Sequence, residues 1–89
     1  MYVSEEDSKK ILQRLRRARG QLDGVIKMVE EDRECRDVVM QLAAVSSALD
    51  RAGVKMISTN MRACMEAIAA GEEPAMDEEE LEKLFLSLA

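Results

Sequence analysis

The sequence predicts an all-α fold in which residues 1–89 form one domain of three helices: long, longer and short. Apolar residues recur at steps of three and four over two long stretches, the spacing of a single helix face. A shorter stretch with the same spacing follows the only proline. Ala, Leu, Val and Met supply most of the apolar content, beside one Phe, one Tyr and no Trp. No strand pattern competes with these helices.

The first helix is expected to begin after Ser4, which with Asp7 resembles a capping box in which Asp replaces the usual Glu or Gln. An apolar stripe then predicts a helix of about 25 residues. The stripe comprises Ile11, Leu15, Ala18, Leu22, Val25 and Val29. Gly20 and Gly24 interrupt it at some cost in helix stability. They either admit another helix closely or are simply tolerated, and we favour close approach.

The second helix follows a break at Glu31-Asp32-Arg33, with Asp32 expected as its cap and Cys35 near its third position. Its stripe has coiled-coil spacing and runs to a stop at Gly71, about 36 residues in all. The stripe comprises Val38, Leu42, Val45, Leu49, Ala52 and Met56. A helix this long is expected to pack against a partner chain.

The third helix is expected after a turn at residues 71–74. Asp77 with Glu80 forms a second capping box, and Met76 can pack on Leu81 as a hydrophobic staple. The short apolar face comprises Leu81, Leu84, Phe85 and Leu88.

Cys35 and Cys64 lie 29 residues apart on the second helix, and the chain has no histidine. The two thiols therefore share one helix face but stand about 43 Å apart. A disulfide needs Cα atoms within about 7 Å, so the thiols cannot meet within one unbroken helix. In an antiparallel dimer with its two-fold axis near Ala48–Asp50, Cys35 of one chain would face Cys64 of the other.

The charge distribution is uneven in a chain of net charge −5. Residues 9–19 hold six cations and no acid, whereas residues 66–89 hold eight acids and one lysine. This asymmetry favours a nucleic-acid surface on the first helix. The alternative is a solvated helix face. The candidate phosphate-binding residues are Lys9, Lys10, Arg14, Arg16 and Arg17. No helix-turn-helix pattern with a short turn is present.

The segment before the first helix lacks a secretory pattern, and no apolar run is long enough to span a membrane. A cytoplasmic protein is therefore expected. There, paired cysteines are more often metal-binding or redox-active than structural.

Two readings of the cysteines stay open. Free cysteines are usually buried small hydrophobes, and a shared helix face fits that role. However, Cys35 is expected in the first turn of the second helix, and Arg33 and Arg36 flank it in the sequence. A helix N-terminus and nearby cations both favour the reactive thiolate. Asn60, one turn before Cys64, points to the same site.

Two segments resemble the copper-sensitive operon repressor (CsoR/RcnR-like) family: RLRRARGQLDGVIKM at residues 14–28, and CRDVVMQLAAV at residues 35–45 followed by Ala48-Leu49. The resemblance implies an all-helical antiparallel homodimer, usually paired into a tetramer. It also implies a repressor that binds double-stranded operator DNA and releases it when an inducer reaches an inter-subunit site. Arg14 and Arg51 occupy positions that help to hold DNA in the family.

Copper sensors of this family have Cys, His and Cys where this chain has Cys35, Asn60 and Cys64. An amide is a poor ligand for soft Cu(I). Copper sensors also carry a tyrosine at the position of Glu34, and a third-helix glutamate that corresponds to Glu80. The Cys–Asn–Cys pattern resembles the persulfide-sensing, CstR-like branch.

The resemblance therefore predicts a repressor released when persulfide or polysulfide bridges Cys35 and Cys64 of different subunits. Cys35 is expected to attack sulfane sulfur and Cys64 to resolve. The site would be lined by Asn60, Glu34, Arg33 and Arg36. The alternative is a Cu(I)-responsive repressor that uses the two thiolates, since two-coordinate Cu(I) needs no third ligand. No enzymatic activity, resident metal, cofactor or membrane partner is expected.

Overall fold

The computed structural model describes residues 3–88, so residues 1, 2 and 89 of the predicted domain lie outside the described part. It contains α1 (Glu5–Glu30), α2 (Cys35–Ala69) and α3 (Glu78–Leu88). The three-helix prediction is confirmed, with helices of 26, 35 and 11 residues. Over the described residues, no helix is both long and apolar enough to cross a membrane.

The start of α1 is as predicted, because the Ser4 hydroxyl accepts a hydrogen bond from the Asp7 N–H at 3.1 Å. The end of α1 differs from the prediction, which made Asp32 the cap of the second helix. This residue has a left-handed backbone (φ 54°), and its N–H donates to the Val29 carbonyl at 3.1 Å. The next N–H, from Arg33, donates to the Met28 carbonyl at 3.0 Å. Asp32 therefore closes α1 in a Schellman motif, a place that Asp tolerates better than most residues.

Asp32 as the cap of α2 is consequently a wrong prediction. The N-cap residue is Glu34, whose side chain makes no capping hydrogen bond. Cys35 is thus the first residue of α2 and not the third.

The remaining ends follow the predicted turn chemistry. Gly71 has φ +78°, and the N–H groups of Gly71 and Glu72 return to the carbonyls of Ile68 and Ala67 at 3.0 and 2.8 Å. This is again the Schellman arrangement, in which glycine pays no Cβ penalty. Asp77 accepts the Glu80 N–H at 2.8 Å and so caps α3.

The helices α1 and α3 both pack on α2, and within residues 3–88 they do not contact each other. Asp7 near the start of α1 pairs with Arg62 late in α2 at 3.2 Å, so the two long helices run antiparallel. The seam between them uses residues seven apart. Its buried apolar members are Ile11, Ala18 and Val25 of α1 and Val45 and Ala52 of α2.

The chain is a slab about one helix thick. Its Cα extents are 57 × 25 × 12 Å and its radius of gyration is 16.9 Å, against about 12 Å for a compact domain of this length. Its accessible surface is 6981 Å², whereas a compact monomer of this mass exposes about 5200 Å².

Part of each predicted stripe therefore stays uncovered. Leu22, Leu42 and Leu49 are 39%, 49% and 46% exposed. Such faces suit the predicted antiparallel dimer, which stays a prediction because one chain does not test it. Among residues 3–88, no atom outside the adjoining turns of α1 comes within 4 Å of a Cβ built at Gly20 or Gly24, so neither α2 nor α3 approaches α1 closely there.

Candidate thiol site and nucleic-acid interface

Three arginines converge on one groove between α1 and α2. Arg14 and Arg17 come from α1 and Arg51 from α2, around a cavity of about 680 Å³. The other lining residues are Gln13, Gln21, Ala44, Ser47 and Ala48. No acid lines this groove, and among residues 3–88 none of the three arginines forms an ion pair. The groove thus presents guanidinium and amide donors suited to phosphate oxygens.

The other predicted cations are placed differently. Lys9 and Lys10 lie 3.9 and 3.7 Å from Glu5 and Glu6, one turn earlier on α1. Lys10 lines a separate groove that also contains acidic side chains. Arg16 is exposed and does not line the arginine groove. The structure therefore brings together Arg14, Arg17 and Arg51 and leaves the other three outside.

The two thiols occupy opposite ends of the uninterrupted helix α2. Cys35 is exposed at its first residue, and Cys64 is 7% exposed near its last turns. The helical rise puts them about 43 Å apart, so they cannot meet within one chain. Arg33, Glu34 and Arg36 lie beside Cys35 and are exposed.

Asn60 lies at the Cys64 end, 8% exposed, and its Nδ2 donates to the Met56 carbonyl at 2.8 Å. The amide nitrogen is thereby held by the helix backbone one turn back, as helical Asn side chains can be. Asn60 and Cys64 line adjacent grooves, which share Ile57 and Met76. The predicted site residues fall into two groups at the two ends of α2, and whether two chains unite them stays a prediction.

The groove that opens onto Cys64 was not predicted from the sequence. It lies between α2 and α3, has a volume of about 860 Å³ and is mainly apolar. Three methionines share it with Cys64: Met61, Met65 and Met76. The sequence does place Met61 and Met65 close to Cys64 on the same helix. Met76 joins them only because the chain turns after Gly71 and runs back along α2.

The described residues of a single chain do not form a conventional metal site. Within residues 3–88, no three His, Cys, Asp or Glu side chains are grouped so that they could hold a metal ion. Glu80, which the family resemblance assigns to the third-helix glutamate of copper sensors, lies in the first turn of α3 and does not line the Cys64 groove. A metal at Cys64 therefore needs donors from a partner chain or of another kind.

Comparison with known proteins gives one family. Residues 7–87 match the family described as "Metal-sensitive transcriptional repressor". The copper-sensing transcriptional repressor CsoR of Mycobacterium ulcerans is 48% identical over 56 residues, 63% of this chain and 48% of its own length. The copper-sensing transcriptional repressor RicR of Mycobacterium tuberculosis is 34% identical over 85% of this chain and 77% of its own length. The chain thus spans about half the length of the first of these relatives.

Two solved structures are similar over nearly the whole chain. The copper-sensing repressor CsoR with Cu(I) from Geobacillus thermodenitrificans has a TM-score of 0.73 and 30% identity, covering 99% of this chain and 88% of that one. The nickel-responsive transcriptional regulator InrS has a TM-score of 0.68 and 34% identity, covering 99% and 91%.

Proposed function

The chain belongs to the metal-sensitive transcriptional repressor family, and from this premise we propose that it binds operator DNA and releases it when an inducer engages Cys35 and Cys64 of different subunits. The observation that carries the DNA-binding part is the convergence of Arg14, Arg17 and Arg51 on one groove without acids. In a chain of net charge −5, such a groove marks the surface where phosphate would bind.

The sensor is assembled from two chains. One helix separates its two thiols by about 43 Å, so each site takes Cys35 from one subunit and Cys64 from the other. The exposed Leu42 and Leu49 give α2 an apolar face on which a second α2 can lie antiparallel. Two equivalent sites then lie at the two ends of the dimer.

Cu(I) is the first inducer that we propose. Two relatives and one similar structure are named as copper sensors. The donor set fits the ion, since Cu(I) is soft and prefers thiolates. Cys35 and Cys64 would hold it between two subunits without an imidazole, of which the chain has none.

Reactive sulfur is the second inducer that we propose, and Asn60 favours it. This residue stands where copper sensors place histidine, its amide nitrogen is engaged with Met56, and both thiols are retained. The exposed Cys35 thiolate would attack the sulfane sulfur of an organic persulfide, forming a cysteine persulfide and releasing the donor's thiolate. Cys64 of the other subunit would attack the inner sulfur and expel hydrosulfide, which leaves a disulfide.

DNA release measured with each inducer tests the proposal. Reduced protein is bound to a duplex that it has selected from a random pool, and is then given Cu(I) or an organic persulfide. Under the Cu(I) reading, DNA is released and denaturing intact mass shows unmodified chains. Under the sulfur reading, release coincides with covalent dimers joined by a disulfide, or by a trisulfide when both thiols carry persulfide sulfur.

Cys35→Ser is the matched variant for both inducers. It should bind the duplex as the parent protein does and fail to respond to either inducer. Release by neither inducer from the parent protein would contradict the sensor proposal. Unimpaired release from Cys35→Ser would contradict the role of Cys35.

A further inference from the structure

We propose that a methionine thioether in the groove at Cys64 is a third ligand to Cu(I), beside the two thiolates. This inference rests on the Cu(I) form of the proposed function. Met61, Met65 and Met76 line the same groove as Cys64, so four sulfur-bearing side chains surround one opening between α2 and α3. Thioethers, like thiolates, are soft ligands that select Cu(I).

The placement of these side chains follows from the helix and the turn after it. Met61 precedes Cys64 by three residues, and side chains three apart on a helix are neighbours, with Cβ atoms about 5–6 Å apart. Met76 precedes the α3 cap Asp77, and it lines the groove from the connection between α2 and α3. Methionine has three flexible side-chain torsions, so its sulfur can adjust to an ion at the thiol.

The exposure of these methionines distinguishes them from core residues. Met61 and Met65 are 46% and 65% exposed, although Cys64 itself is only 7% exposed. These two side chains thus line the approach to a buried thiol and do not fill the interior. The alternative role is contact with a partner chain, which would use the apolar surface of the methionines but not their sulfur.

The other donors near Cys64 do not compete for a soft ion. Asn60 lines the adjacent groove, and its amide nitrogen is bonded to Met56. Carboxylates also lie near Cys64: Asp77, Glu78 and Glu82 in this groove, and Glu66, Glu72 and Glu73 in a second groove that Cys64 lines. Carboxylates are hard donors that suit Mg²⁺, Ca²⁺ and Mn²⁺. The sulfur atoms therefore supply the donors that suit Cu(I) where an imidazole is missing.

Proton release separates thioether ligands from thiolates. Each thiol that binds Cu(I) gives up one proton, whereas a thioether carries none to lose. Loss of a methionine ligand should therefore weaken Cu(I) binding while the number of protons released per ion stays the same.

The test measures Cu(I) affinity of the full reduced chain by competition with a colorimetric Cu(I) chelator. The test variant is Met61→Leu/Met65→Leu/Met76→Leu, because Leu conserves volume and apolar character at small cost in stability. The control is Met56→Leu, on the same helix but about 12 Å from Cys64 along its axis. We expect the triple variant to bind at least about tenfold more weakly, since even outer-shell changes cost 10–100-fold. The control should match the parent protein.

X-ray absorption of the copper-loaded protein gives a second readout. Three sulfur neighbours per copper in the parent protein and two in the triple variant are the expected result, and single variants then identify the methionine. Equal affinity and two sulfur neighbours in both proteins would overturn the thioether ligand and leave the two-thiolate sensor intact. Failure of the parent protein to bind Cu(I) would overturn both and leave the sulfur reading.

Discussion

Arg51→Ala tests the arginine groove as the DNA-binding surface. Arg51 is the one cation of α2 that lines this groove, facing Arg14 and Arg17 of α1. Each phosphate contact contributes about −0.9 to the slope of log K against log salt concentration. The substitution removes two cations from the proposed dimer, so the slope should become shallower by about 1.8. At a salt concentration near 0.15 M, the same relation predicts about a 30-fold loss of affinity.

The assay is DNA binding followed by fluorescence anisotropy at four or five salt concentrations. The control is Lys83→Ala, which removes the same charge from an exposed lysine of α3 that lies 3.6 Å from Glu79. Its slope should stay that of the parent protein. Thermal unfolding of both variants should match the parent, because exposed substitutions usually change stability by no more than about 0.5 kcal/mol.

Two results would refute this reasoning. An unchanged slope for Arg51→Ala would mean that the groove does not contact phosphate. Equal effects of Arg51→Ala and Lys83→Ala would mean that DNA binding depends only on the total charge of the protein.

A smaller effect of Lys9→Ala than of Arg51→Ala on the salt dependence is also expected, since Lys9 already lies 3.9 Å from Glu5.

Three further predictions concern stability, measured by urea unfolding at fixed protein concentration. Gly24→Ala should stabilise the fold by about 0.5–1 kcal/mol through helix propensity, since no described residue beyond the adjoining turns of α1 lies within 4 Å of the added Cβ. Destabilisation would indicate a partner helix there. Gly53→Ala should be less favourable than Gly24→Ala, because its Cβ would come 2.8 Å from Leu88 Cδ1. Asp77→Ala should cost about 1 kcal/mol and Asp77→Asn much less, because Asn keeps the cap; equal losses would contradict capping.

The helices were predictable because their ends follow local chemistry. The capping hydrogen bonds at Ser4, Gly71 and Asp77 join residues only three to five positions apart, and each helix begins or ends there as predicted. The prediction that Asp32 caps α2 was wrong because Asp occurs both as a helix N-cap and as a left-handed residue after a helix. The sequence pattern does not distinguish these roles when one short turn joins two helices.

The sites were predictable to different degrees. The family resemblance assigns Arg14 and Arg51 to DNA binding; both line one groove, and their contact with DNA stays a prediction. Lys9 and Lys10 lie outside this groove, each beside a glutamate one turn earlier on α1. The methionine groove could not be foreseen, since it depends on where Met76 returns to α2. Helical periodicity locates a residue on a face, but it does not say which loop covers that face.

The chain is only 12 Å thick in its shortest dimension. This shape bears on the cellular concentration of the protein at which its fold is stable. In the proposed dimer, leucines such as Leu42 and Leu49, half exposed in one chain, would be covered, and much of the stability of each chain would then come from meeting a second copy. We therefore expect chains below the association threshold to be substrates for proteases, and chains above it to persist. Regulation would then have a dosage limit that is independent of any inducer, set by subunit encounter alone.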